Sequence, residues 1–134
     1  MVRTLIFVTL FSTAAASEPS AEFLKALHQV EAAGQLSPKD GDKGKAIGPY
    51  QIWYSYWKDA TDSDKDIGGS YQDCRRKDYA EKVIRAYLFR YTTTRRLHRQ
   101  ATDEDRARIH NGGPNGWKHN STVNYWLKVK QQLR

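Results

Sequence analysis

The sequence predicts an α+β domain that is mainly helical, with a small β-hairpin region after the first helix. Three observations carry this reading. Apolar residues recur at helical spacing in several separate segments. Capping or breaking residues bound those segments. A polar loop rich in Gly, Asp and Lys follows the first of them, and its Lys39-Asp40-Gly41-Asp42 step has turn chemistry suited to a hairpin.

The first helix is expected over residues 20–33. Ser20 is a good N-cap, Phe23, Leu24 and Leu27 form an apolar stripe, and Gly34 ends the segment. Gly48-Pro49 should open a second helix, because Pro is favoured at the first helical position and Tyr50, Trp53, Tyr54 and Trp57 follow at helical spacing to about Ala60. Residues 61–70 read as a loop. The longest helix is expected from Tyr71 or Lys77 to Tyr91, with Tyr79, Val83, Ala86, Tyr87 and Tyr91 on its buried side and β-branched Thr92-Thr93-Thr94 ending it. Thr102-Asp103-Glu104-Asp105 is a capping box for a helix to about His110. After the tight loop Asn111-Gly112-Gly113-Pro114-Asn115-Gly116, a last helix runs to Leu133 and buries Val123, Trp126, Val129 and Leu133.

The chain has 134 residues, enough for one domain. Residues 1–16 read as a signal peptide: Arg3 supplies the charge, the next stretch is apolar, and Ala14-Ala15-Ala16 is a small-residue cleavage site. Residues 17–134 are then the functional domain, expected to be secreted. The apolar run is too short to span a bilayer, so stable membrane insertion is not expected. Cys74 is the only cysteine, which excludes an intramolecular disulfide. It is expected to be buried as a small hydrophobe. The formal charge is +7. It falls to about +6 with the signal removed, and it implies an anionic partner. A bacterial surface fits a secreted protein, and nucleic acid does not. The histidines lack metal-ligand spacing, and neither a nucleophile elbow nor a phosphate-binding glycine loop is present, so no metal or cofactor is expected. Asn120-Ser121-Thr122 is an N-glycosylation sequon.

Glu31 is the most informative residue. It continues the apolar stripe of the first helix, just before its end. Apolar surroundings and the negative end of a helix both disfavour a charged carboxyl, which suits a general acid. Cleavage of a glycosidic bond requires such an acid and a second carboxylate facing it. Asp40 and Asp42 both lie in the next loop and remain alternatives for that role. Asp59, third in order, reads better as a surface charge. Asn111-Gly112-Gly113-Pro114 lets backbone approach a ligand closely, with His110 beside it. The aromatic segment 50–57 offers flat faces to sugar rings, although most of those rings should pack in the core.

In order along the chain, Val30-Glu31, Gly48-Pro49-Tyr50-Gln51-Ile52, Tyr56-Trp57-Lys58-Asp59, Gly69-Ser70-Tyr71-Gln72-Asp73-Cys74, Ala86-Tyr87, Arg90-Tyr91, Ala107-Arg108-Ile109-His110-Asn111-Gly112-Gly113-Pro114-Asn115-Gly116, Thr122-Val123 and Tyr125-Trp126 resemble the invertebrate-type (destabilase) lysozymes. The resemblance implies a lysozyme-like fold. It also implies hydrolysis of the β-1,4 bond between N-acetylmuramic acid and N-acetylglucosamine in peptidoglycan. It places the catalytic acid on Glu31 and the second carboxylate on Asp42, in the Asp42-Lys43-Gly44 step. Tyr50, Gln51, His110, Asn111, Gly112 and Gly113 are the implied substrate-binding residues.

The chain departs from the family by its cysteine poverty: Trp117 stands where the family has Cys. Residues 31–52 also resemble soluble lytic transglycosylases, which share the fold, use one glutamate and leave an anhydro-sugar. Transglycosylation through Glu31 alone, and non-catalytic cationic binding to bacteria, are the alternative readings.

Overall fold

The computed structural model describes residues 17–133; the expected signal segment lies outside them. Helix α1 spans Ala21–Ala32. The Ser20 side chain accepts from the Phe23 amide, and Ala33 ends the helix in the left-handed region at φ 50°. Phe23, Leu24, Ala26 and Leu27 are buried. Each of the three large side chains contributes about 1.5–3 kcal/mol through burial.

The hairpin lies later than expected. Strands β1 (Ala46–Ile47) and β2 (Ile52–Trp53) pair antiparallel, Ala46 opposite Trp53 and Ile47 opposite Ile52. Gly41 extends the sheet by one bridge to Ala46, and Asp42–Gly44 is a 3-10 turn between them. The segment Gly48-Pro49-Tyr50-Gln51 is therefore the hairpin turn, not a helix start. Gly48 has φ +73°, and a Cβ there would sit 2.1 Å from the Cys74 carbonyl oxygen. Glycine is required by both the dihedral and the close approach. The helical spacing of the aromatics misled because tertiary packing against residue 74 overrides it.

Helix α2 begins after the strand, at Tyr54–Ser63. A 3-10 turn at Tyr71–Arg75 buries Cys74 completely. Burial pushes its thiol up to about 12. Helix α3, Lys77–Tyr91, is the longest and packs against α2. Its Tyr79, Ala80, Val83, Ile84, Tyr87 and Leu88 belong to the core. A short helix α4, Thr94–Leu97, arises where the Thr93 hydroxyl accepts from Arg96; the threonine run hid this N-cap.

Helix α5, Asp103–Gly112, starts at the expected capping box with Thr102 and Asp105 bonded reciprocally. It runs two residues beyond His110. Helix α6, Val123–Gln132, packs on α1 and α5. Its Val129 is fully buried, and Val123, Trp126 and Leu133 are half-buried. No helix among the described residues is long and apolar enough to cross a membrane.

Candidate active site

A cleft of ≈ 640 Å³ opens between the hairpin and the end of α5. The hairpin contributes Gly41, Asp42, Gln51, Ile52 and Trp53 to its walls, and α2 contributes Ser55, Tyr56 and Asp59. His110, Asn111, Gly113 and Pro114 line the other side, and Glu31 enters from the end of α1. The sequence placed Glu31, Asp42, Gln51, His110, Asn111 and Gly113 at the site, and the fold brings all six into this one cleft.

Two residues do not join them. Tyr50 is fully buried beneath the hairpin turn, and its hydroxyl donates to Glu81 at 2.7 Å. It props the hairpin against α3 and presents no face to a ligand. Gly112 serves packing: a Cβ there would come 2.4 Å from the Thr122 methyl.

Glu31 is held by side chains from two other segments, one of them backed by a third. The Tyr125 hydroxyl donates to its Oε1 at 2.6 Å. His110 Nε2 lies 3.5 Å from the same oxygen. On its other side, the His110 ring shares a hydrogen bond of 2.9 Å between Nδ1 and the Tyr56 hydroxyl. Burial, then the Glu31 charge, raises the Tyr125 phenol well above its ordinary value. Burial, then Tyr87 and Glu31, does the same for Tyr56. Both phenols thus stay protonated and remain available as donors. A short polar chain, Tyr56–His110–Glu31–Tyr125, fixes the carboxyl at the mouth of an apolar core.

Asp42 is exposed on the hairpin side. It and Lys43 adopt left-handed backbone, φ 47° and 59°. Two consecutive non-glycine residues in that region are costly and persist only where the surroundings over-determine them. The Trp53 indole N–H donates to Asp42 Oδ2 at 3.2 Å.

The other candidate carboxylates are each paired with an arginine. Both oxygens of Asp40 accept from Arg75, at 2.7 and 3.0 Å, and the guanidinium holds that carboxyl below its ordinary range. Asp59, read from sequence as a surface charge, instead faces the cleft, where it accepts from Tyr91 at 2.6 Å and pairs with Arg90.

The sequence offered Asp59 only as the third carboxylate and segment 50–57 only as a set of aromatic faces, without singling out Trp53 or Tyr56, and it gave no sign of Tyr125 as part of the site. Tyr125 lies on α6, 94 positions from Glu31. No local spacing signals such a pairing. Among the described residues, no group of His, Cys, Asp and Glu is arranged to hold a metal ion.

This fold is that of solved lysozymes. The crystal structure of Tapes japonica lysozyme superposes with a TM-score of 0.68 at 27% identity, over 86% of this chain and 94% of that one. The destabilase family model matches residues 20–132, and the chain belongs to that family. Lysozyme of Magallana gigas is 42% identical over 65% of this chain. Invertebrate-type lysozyme 3 of Caenorhabditis elegans is 30% identical over 96% of this chain and 94% of its own length. The chain spans 60% of the Magallana gigas protein.

Proposed function

We propose that this protein is a secreted lysozyme, a glycoside hydrolase cleaving the β-1,4 bond between N-acetylmuramic acid and N-acetylglucosamine in bacterial peptidoglycan. Glu31 is the general acid. Its proton passes to the leaving glycosidic oxygen as the bond to the anomeric carbon breaks. Asp42 is the second carboxylate and stabilises the positive charge that develops on the sugar. Water then supplies its hydroxyl to the anomeric carbon and returns a proton to Glu31. Gln51, His110, Asn111 and Gly113 lie along the same cleft as substrate contacts. The net positive charge, +7 for the whole chain and about +6 with the signal segment removed, draws the protein to anionic cell walls.

One observation carries this reading: Glu31, fixed by Tyr125 and His110, shares a cleft with Asp42, which is in none of the ion pairs among the described residues. Among the described residues the Asp42 carboxylate accepts only from the Trp53 indole, whereas Asp40 and Asp59 are paired with arginines. This favours Asp42 over both.

Mass spectrometry of peptidoglycan digests tests the reaction. Reducing ends are expected from the wild type, and Asp42→Asn should lose at least about a hundredfold in kcat. Anhydro ends would instead make the protein a transglycosylase. Bacterial killing without any released fragments would make it a non-catalytic binder. Processing near Ala16, read by N-terminal sequencing of protein exported from an expressing cell, tests secretion.

A further inference from the structure

The backbone at Asp42 is fixed on several sides. Gly41 exchanges both backbone hydrogen bonds with Ala46, at 2.9 and 3.2 Å, and Gly44 donates to the Gly41 carbonyl at 2.9 Å. The Gln51 amide packs on Gly41, where a Cβ would fall 2.2 Å from Gln51 Oε1. Its Nε2 in turn donates to the Gly48 carbonyl at 3.0 Å. Asp42 itself stands exposed on the 3-10 turn that follows Gly41. What this backbone leaves open is rotation of the carboxylate, since an exposed side chain samples several rotamers. The Trp53 indole N–H closes that choice by donating to Asp42 Oδ2 at 3.2 Å. The strand that carries the ring is held in turn: Trp53 pairs with Ala46, and the Tyr71 hydroxyl donates to the carbonyls of Lys45 at 3.0 Å and Ile52 at 2.8 Å.

The two carboxyls of the cleft thus meet different partners. A phenol hydroxyl both donates and accepts, so Tyr125 can serve Glu31 with or without its proton. An indole N–H only donates, so it serves an ionised carboxylate best. We propose that Trp53 is a positioning residue for Asp42: its N–H holds Oδ2 and so turns Oδ1 toward the sugar bound in the cleft. Oδ1 accepts no hydrogen bond among the described residues and stays free to face the charge that develops there. Trp53 then acts on the rate through Asp42, not by holding substrate. This inference rests on Asp42 being the second carboxylate of the hydrolytic reading above, and it names the group that aims it.

The experiment measures kcat and KM on soluble peptidoglycan oligomers for the full chain as wild type, Trp53→Phe, Asp42→Ala and the double variant. Trp53→Phe keeps an aromatic face in the strand and removes the N–H. Its kcat should fall about fivefold to tenfold, the scale of one hydrogen bond, with KM little changed. Asp42→Ala alone should lose at least about a hundredfold in kcat. In that background Trp53→Phe should change neither constant further, because the carboxylate it served is gone; the cycle isolates the pair. Phe is smaller than Trp, so a further variant carries 3-benzothienylalanine at position 53, where sulfur replaces the N–H in a ring of the same shape. It should melt as the wild type does and lose as much kcat as Trp53→Phe.

An unchanged kcat in Trp53→Phe, an equal loss with and without Asp42, a rise in KM alone, or a benzothienyl variant as active as wild type would each overturn the positioning role. Hydrolysis through Glu31 and Asp42 would stand in all four cases. Full activity of Asp42→Ala would instead remove Asp42 as the second carboxylate, and the inference with it. A wild-type protein that cleaves none of the oligomers would overturn the hydrolytic reading itself.

Discussion

The hydroxyl of Tyr125 sits 2.6 Å from the carboxyl it serves. It acts through Glu31 without lining the cleft, so it is a positioning residue. A hydrogen bond to a charged group is worth about 1.5–3 kcal/mol. Tyr125→Phe removes one hydroxyl and keeps the ring, so kcat should fall about tenfold or more with KM little changed. A steady-state assay with Glu31 intact checks this; an unchanged kcat would mean that the contact is only structural. Glu31 itself was legible from sequence because its helix spacing conflicts with its charge. Tyr125 and Tyr56 were not legible, because each reaches the site through the fold and neither breaks a local rule. Tyr50 shows the opposite failure. It belongs to a motif quoted for the site, yet it is buried and bonded to Glu81.

The best-read helix is α5. Its capping box was evident in Thr102 and Asp105, and the structure forms both halves. Asp105 is almost fully buried. Burial pushes its carboxyl up, but the Arg99 guanidinium and the Thr102 amide and hydroxyl outweigh it, and the carboxyl lies below its ordinary value. A carboxyl lowered in the folded state stabilises it above the unfolded pKa, and that stability is lost as pH falls through the folded value. Asp105→Asn should therefore melt lower than wild type at pH 7, and the gap should close as the pH falls below the ordinary carboxylate range. Thr102→Ala should cost about 1 kcal/mol. Thermal unfolding monitored by circular dichroism reads both. The worst-read element is the start of α2. Gly48-Pro49 has the chemistry of a helix start and of a hairpin turn alike, and only the approach of Gly48 to residue 74 decides between them. Gly48→Ala should accordingly destabilise the hairpin that carries Asp42 and Trp53.

With one cysteine, the molecule is held without an intramolecular disulfide. Its single thiol is buried in the core between the hairpin turn and α3. Melting should be indifferent to reducing agent, and Cys74 should resist a thiol-specific reagent until the domain opens. Rapid labelling of the native protein would contradict that burial. The mainly helical class and the order of most helices were legible from periodicity and caps. The cleft was less so, because it is built by segments far apart in sequence: the end of α1, the hairpin, α2, and the turn after α5. The residues from each were individually plausible, and the fold gathered most of them.

The proposed hydrolysis of peptidoglycan in this cleft requires Glu31 as its acid. Release of reducing ends from purified peptidoglycan by wild type and by Glu31→Gln, both verified as folded by circular dichroism, tests it most directly. Clear release is expected from the wild type and a loss of at least about a hundredfold in the variant, the scale of a missing general acid. Equal release by the two proteins would contradict it.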